Sequence, residues 1–271
     1  MKEVDPRKAR QGLNGGRILT ILVSSLILAM IVWGAVELYG QMRPGRGCIH
    51  GIAAAALCHG AAMTSPAPAI SHRHPTLEQV CAEAQTCRRC ELYKDATQTV
   101  FGEGPVGAGI FFIAEQPGDK EDIEGRPLIG PAGQVFDTCL AEVGIERERC
   151  YITNAVKHFR HIQRGKRRLH QRPSTSHIEA CRWWLEQEIE QVSPHIIVAL
   201  GAVAARAVFD KPVKIAAVRG RRLQHENRHV FVTIHPSYLL RLRGRSGYDR
   251  ERAMFLKELG QVAEFGRASE T

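Results

Sequence analysis

"GIFFIAEQPGD", residues 109–119, holds the decision about the fold. From Ile110 to Ala114 the residues are apolar, aromatic or β-branched without alternation, which suits a strand covered on both faces. The run then breaks into Glu115-Gln116-Pro117-Gly118-Asp119, a polar turn. The same pattern returns in "CYITNAV" (150–156), "PHIIVALG" (194–201) and "HVFVTIH" (229–235). Between these runs lie helical patterns. "PAGQVFDTCLAEVG" (131–144) has Pro131 at a first turn, Val135, Phe136, Cys139, Leu140 and Val143 on one face, and Gly144 as a stop. "SHIEACRWWLEQEIEQV" and "YDRERAMFLKELGQVAEF" read likewise. Strands alternating with helices predict an α/β domain, a three-layer αβα arrangement around a central parallel four-stranded sheet.

The chain has 271 residues, enough for one sizeable domain with appendages, and carries a formal charge of +9. That charge suits a nucleic acid, an anionic membrane or simply a solvated surface, so its placement matters more than its sum. From Lys157 to Arg172 there are seven Lys or Arg and three His, with no acidic residue between Glu148 and Glu179. A phosphate-rich partner accounts for the cations. It does not account for the imidazole that ends "GKRRLH" (165–170). Eight Cys are unevenly spaced in a chain that needs no disulfide staples, and read as thiols or metal ligands.

The N-terminal quarter differs. Residues 1–17 form a basic tail, and Ile18 to Val36 is a run of 19 uncharged residues, so residues 18–38 have the pattern of a membrane-spanning helix, here an inner-membrane anchor. Residues 39–75, rich in Gly, Ala, Pro and His, read as a linker. Met63 is equally a natural beginning for a soluble, cytoplasmic, nucleoid-associated protein, with everything upstream a misassigned start. The regular domain is expected over 76–265, followed by a tail, 266–271.

In open parallel sheets the ligand crevice lies beyond the carboxyl ends of the strands. There the first strand meets Glu115, the second ends on Asn154 and leads to Lys157-His158, and the fourth meets His235-Pro236-Ser237. Each alone also suits a cap or turn; three at equivalent ends point to one crevice. "EGRPLIGPAG" (124–133) adds Gly125, Gly130 and Gly133, whose amides near a helix start suit a phosphate. Cys87-Arg88-Arg89-Cys90 is a CxxC on an expected helix, open to zinc, redox or coincidental readings. Cys139 and Cys150 read as core residues, and Cys81 as a spare thiol.

"AEQPGDKEDIEGRPLIGPAG", "TNAVKH", "GKRRLH" and "HPS", in this order, resemble the uracil-DNA glycosylase superfamily and, within it, the UdgX group related to the family 4 iron-sulfur enzymes. The resemblance covers residues 76–265. It implies removal of uracil from DNA, single strands being favoured because no base must be flipped from a duplex, followed by covalent capture of the deoxyribose by a protein that acts as a monomer. Breaking an N-glycosidic bond leaves negative charge on the base and an oxocarbenium-like sugar. On this likeness Asn154 reads the uracil edge, His235 stabilises the leaving anion, Glu115 with Gln116 serves the sugar and orients His170, and His170, at the end of a basic loop, attacks C1′. Gly118, Asp119, Leu128 and Ser237 are expected at the substrate, and Lys166, Arg167, Arg168 and Arg172 on DNA phosphates. The likeness also implies a [4Fe-4S] cluster on Cys87, Cys90, His158 and Cys181, with His158 where family 4 carries Cys. Leu128 departs from the aromatic residue the family places after "GRP", which puts base stacking in doubt. Two other readings remain: an ordinary turnover glycosylase, and a non-catalytic iron-sulfur protein that binds nucleic acid.

Overall fold

The four apolar runs become the parallel strands β1 (Ile110–Ala114), β2 (Tyr151–Asn154), β5 (Ile196–Leu200) and β7 (Arg228–Thr233) of a computed structural model that describes residues 75–269 and Met30. Every residue of β2 and β5 is buried, β5 through its unbroken apolar run and β2 with Thr153 and Asn154 as buried polar members. The expected basic tail, the membrane-spanning segment apart from Met30 and most of the linker lie outside the described residues. Among the described residues no helix is long and apolar enough to cross a membrane.

The sheet has five strands in the order β2-β1-β5-β7-β6, not four. The extra strand, β6 (Arg222–His225), pairs antiparallel with β7, so the sheet is mixed rather than all parallel. Glu226 and Asn227, at φ 46° and 62°, make the two-residue turn between them, a left-handed pair that matches the twist of a hairpin. The polar edge strand escaped the apolar pattern because its residues alternate between exposed and half-buried.

Helices α1 (Leu77–Ala84), α2 (Asp119–Glu124), α3 (Pro131–Glu142), α4 (Thr175–Val192), α5 (Ala202–Phe209), α6 (Ile215–Val218), α7 (Pro236–Leu242) and α8 (Tyr248–Ser269) flank the sheet. Their starts follow local chemistry. Thr76 and Gln79 close a capping box on α1, and Ser174 with His177 does so on α4. One core joins Phe112, Phe136, Leu140, Phe231 and Phe255 on the side of α3 and α8. The other joins Phe111, Ile113, Leu185, Ile197 and Val203 on the side of α4 and α5. Alternate residues of β1 therefore serve opposite layers, which is the three-layer arrangement. Cys139 and Cys150 are buried in the first of these cores.

Two further expectations change. The CxxC does not lie on a helix: α1 ends at Ala84, and Cys87 to Cys90 follow it as irregular chain before a 3-10 turn at Glu91–Lys94. The basic stretch is not a loop either, but a hairpin, β3 (His161–Arg164) and β4 (Arg167–His170), separate from the main sheet.

Candidate active site

The sheet register brings the strand ends together. Ala114 lies opposite Asn154, so Glu115 leaves β1 beside it. The amide of Gly201, just past β5, donates to the Thr233 carbonyl at 2.9 Å. A side chain at Gly201 would meet Cβ of His235 at 3.2 Å, and its φ of +91° favours glycine in any case. The ends open into a cleft of about 1220 Å³ lined by Glu115, Gln116, Gly118, Asp119, Leu128, Asn154, His170, Arg172, His235 and Ser237.

Two cleft-lining side chains carry buried donors with no partner, Asn154 Nδ2 and His235 Nε2. On the opposite edge of the imidazole, Nδ1 accepts the Ser237 amide at 3.1 Å and lies 2.9 Å from Ser237 Oγ. A nitrogen that accepts a backbone N–H carries no proton, so the neutral ring holds its hydrogen on Nε2. Burial pushes the His235 pKa down to about 4, helped by the nearby His170 and Arg241, and the ring is neutral at pH 7. An unpartnered buried donor costs about 1–3 kcal/mol, so a ligand with two acceptors relieves two such costs at once.

At the mouth of the cleft, His170 Nε2 stands 3.9 Å from Glu115 Oε1, just beyond direct hydrogen-bond reach. The His170 side chain is 49% exposed and that of Glu115 24%. Burial raises the Glu115 pKa, with Arg172 and Arg241 opposing. Burial lowers that of His170, Arg241 adds to it and Glu121 opposes. The imidazole is thus held toward its neutral form.

His170 reaches this point because the hairpin is tied down at its base and along β4. Gln116, 6% exposed, donates to the carbonyls of Arg160 (3.2 Å) and Gln171 (3.0 Å) and accepts the Arg160 amide at 3.1 Å. Its amide therefore bridges the two chain segments just outside the hairpin. Arg168 supplies the second tie: Nε meets Asp119 at 2.6 Å and Nη1 meets Asp122 at 2.5 Å, while the guanidinium lies over the Phe159 ring. Arg168 and Asp119 are thus engaged with each other, unlike Lys166 and Arg167, which stay exposed at and beside the turn.

The glycine loop before α3 does not offer its amides to a phosphate. Glu121 fills that place: its carboxylate accepts the amides of Gly118 (3.1 Å), Ile129 (3.2 Å) and Gly130 (2.8 Å). The Leu128 carbonyl comes so close to Gly133 that an added Cβ there would sit 1.9 Å from it. Leu128 itself has a φ of 50° and packs into the core with 4% exposure.

Of the expected cluster ligands, Cys90 and Cys181 come together as a hydrogen-bonded thiol pair. That contact lowers the Cys90 pKa to about 6 and raises that of Cys181. Cys87 Sγ accepts Trp184 Nε1 at 3.1 Å. His158 is 4% exposed and pairs with Thr99 through Nε2, while its Nδ1 is buried without a partner. Among the described residues no three His, Cys, Asp or Glu side chains converge to hold a single metal ion. A cubane cluster asks for something different, since each ligand binds its own iron. A thiol pair, a further thiol in the same CxxC and an orphaned imidazole nitrogen are a donor set that fits one.

Arg241, Tyr238 and Arg219 also line the cleft and were not anticipated. Arg241 had a sequence signal, its place four residues after Ser237 on a helix opened by Pro236.

The family model for the uracil DNA glycosylase superfamily matches residues 101–260. The type-4 uracil-DNA glycosylase of Thermotoga maritima is 39% identical over 173 residues, 63% of this chain and 86% of that protein. That of Sulfurisphaera tokodaii is 34% identical, over 61% of this chain and 76% of its own length. A DNA polymerase of Bacillus phage SP01 is 32% identical over 52% of this chain but only 14% of its own length, a likeness confined to one part of that larger protein. With more than half its length matched, including every strand of the sheet and the residues around the cleft, the chain belongs to the uracil DNA glycosylase superfamily.

Proposed function

We propose that the protein excises uracil from DNA, with single strands favoured, and that His170 then captures the deoxyribose. The observation that carries this reading is the pairing of a neutral imidazole with Glu115 at 3.9 Å, over a cleft whose inner wall holds two unpartnered donors. The C1′–N1 bond breaks and its electrons go to uracil. His235 donates from Nε2 to O2 of the departing anion, and Asn154 pairs with the O4 and N3–H edge, a pattern cytosine does not present. The Glu115 carboxylate stabilises the cationic sugar. A lone pair of His170 forms a C–N bond to C1′, the proton on its other ring nitrogen passes to solvent, and the uracil anion takes up a proton from solvent. Arg167, Lys166 and Arg172 hold phosphates, and Arg168 holds the hairpin instead. A [4Fe-4S] cluster on Cys87, Cys90, His158 and Cys181 would brace the CxxC segment against the exit from β2 and against α4.

The assay is incubation with a uracil-containing single strand and denaturing electrophoresis. An adduct that survives boiling in SDS, lost in His170→Ala, is the expected result. Free abasic product without adduct from the unaltered protein refutes capture and leaves a turnover glycosylase. That second reading draws on the half-exposed position of His170 and on the type-4 relatives. Binding without uracil release would instead favour the non-catalytic reading, for which the buried Leu128 in place of an aromatic residue speaks.

A further inference from the structure

The β3–β4 hairpin has two faces, and the groups assigned so far use one of them. Antiparallel pairing sets His161 opposite His170, Ile162 opposite Leu169, Gln163 opposite Arg168 and Arg164 opposite Arg167. Opposed residues share a side and successive residues alternate. His161, His170, Gln163 and Arg168 therefore lie on one face, and Ile162, Leu169, Arg164 and Arg167 on the other. The first face is turned toward the body of the domain: the rings of His161 and His170 lie 4.9 Å and 6.0 Å from that of Phe159, and the Arg168 guanidinium is 5.4 Å from its centre. Phe159 itself is buried. The second face points away. Ile162 is 52% exposed on it, beside a half-buried Leu169 and the exposed Arg164 and Arg167.

An aliphatic pair across two strands can do no more than hold a hairpin together. The charges around this one point to an occupant. Arg168, on the inner face, is held by Asp119 and Asp122, whereas Arg164, Lys166 and Arg167 have no ion-pair partner among the described residues, and the sequence has no acidic residue between Glu148 and Glu179. The outer face thus sets an apolar centre beside unneutralised cations, one strand repeat of about 6.8 Å away. A nucleotide has the complementary form, an apolar base face joined to a phosphate. We propose that this face is a subsite for the nucleotide next to the uracil: its base lies on Ile162 and Leu169, and Arg164 and Arg167 hold the adjoining phosphates. This deepens the proposed function and rests on it, because a strand whose sugar sits at His170 brings its neighbour to Leu169, the residue before. The contact is aliphatic and offers no hydrogen bond to a base edge, so it distinguishes bases by area, favouring purines, and not by sequence.

The test uses the full chain and fluorescence anisotropy with a labelled single strand carrying one 2′-fluoro-deoxyuridine, whose fluorine disfavours a cationic sugar and so keeps the glycosidic bond intact. The neighbour on its 5′ or its 3′ side is adenine or a tetrahydrofuran spacer that lacks a base. Ile162→Thr, which keeps a β-branched residue in the strand, should weaken binding about five- to tenfold, since each methylene withdrawn from contact accounts for about fourfold. That loss should vanish when the spacer replaces the neighbour on one of the two sides. Ile162→Phe should tighten binding of the adenine strand about tenfold by stacking and leave the spacer strand unchanged. Arg164→Gln should lower the slope of log affinity against log salt by about 0.7. An Ile162→Thr loss that is equal with base and spacer on both sides would mean that the pair serves the hairpin alone, and overturns the proposal. Unchanged binding in both Ile162 variants, or an unchanged salt slope in Arg164→Gln, overturns it as well. Uracil release from an ordinary strand is scored separately. If the unaltered protein releases none, the glycosylase reading fails, while the comparison of base with spacer, made on a strand that does not react, still decides whether this face takes a nucleobase.

Discussion

Replacing Glu188 by Ala tests how the floor of the site is held. Its carboxylate, on α4, accepts the Gly102 amide (2.8 Å), the Thr153 hydroxyl (2.9 Å), the Tyr151 hydroxyl (3.3 Å) and the Lys157 ammonium. Both Lys157 and Glu188 have side chains with 0% exposure. Deleting one partner of a buried pair costs about 3–5 kcal/mol, because the other charge stays in a dry interior. Three more donors lose their acceptor, each worth about 1 kcal/mol at the low end. The expected loss of about 6 kcal/mol is a large part of a domain stability of about 5–15 kcal/mol. Urea denaturation followed by circular dichroism should show the midpoint falling by about half, with the slope unchanged. Replacing both partners, Lys157→Met with Glu188→Leu, removes the stranded charge and should recover about half of the loss, the donors of Gly102, Tyr151 and Thr153 still lacking their acceptor. Excision should nevertheless remain slow in that double variant, since Lys157 Nζ also donates to the Asn154 carbonyl at 2.8 Å. A loss below about 1 kcal/mol in Glu188→Ala, or a double variant no more stable than the single one, would refute the reasoning.

Adduct formation needs a lone pair on His170, whose pKa lies below the ordinary histidine value. Its rate should be level from about pH 7 upward and fall on acidification below about 6.5, measured by quenched gel assays in buffers of constant ionic strength. His235 is neutral in the fold and protonated below about 6.5 in the unfolded chain, so its contribution to stability is complete above that pH. It is lost as pH falls toward the folded value of about 4, and thermal midpoints across that window should fall less steeply in His235→Gln. Gly133→Ala puts a Cβ 1.9 Å from the Leu128 carbonyl and should destabilise the chain by about 3 kcal/mol or more, since a backbone oxygen cannot rotate aside as a side chain can; an unchanged urea midpoint would contradict this. Lys166→Gln and Arg167→Gln should each lower the slope of log affinity against log salt by about 0.7 on single strands, while Arg168→Gln should leave the slope nearly intact and abolish the adduct.

The main sheet was readable because strands buried on both faces are built mostly of apolar, aromatic and β-branched residues, as in β1 and β5 throughout and at the centres of β2 and β7. Strand β6 and the β3–β4 hairpin were not, since strands with an exposed face can be built from Arg, Gln and His, and their pairing depends on partners distant in sequence. Charge has the same limit. The run from 157 to 172 reads as one cationic patch, yet Lys157 is buried against Glu188 and Arg168 is held by Asp119 and Asp122, carboxylates that composition cannot assign. The amides of the glycine loop looked free because Glu121 meets them only after α2 has folded back. The strand-end positions of Glu115, Asn154 and His235 were legible from topology alone.

The placement of the hairpin bears on how His170, exposed and proposed as the nucleophile, would be aimed well enough to act. Misplacing a reacting group by about 1 Å can cost about 10²-fold in rate, and a free surface hairpin moves by more than that. Here Gln116 bridges the segments flanking the hairpin, and Asp119 and Asp122 hold Arg168, two residues before His170. All three ties come from the eight residues Glu115 to Asp122, the segment that also presents Glu115. The carboxylate and the imidazole are therefore referenced to the same short piece of backbone. A shift of that piece carries both groups together, so their 3.9 Å relation is insulated from motions of the rest of the cleft. Asn154 and His235 are fixed independently by the sheet. On the proposed mechanism, loosening the hairpin through Gln116 or Arg168 should impair capture of the sugar while Asn154 and His235, fixed by the sheet, stay in place.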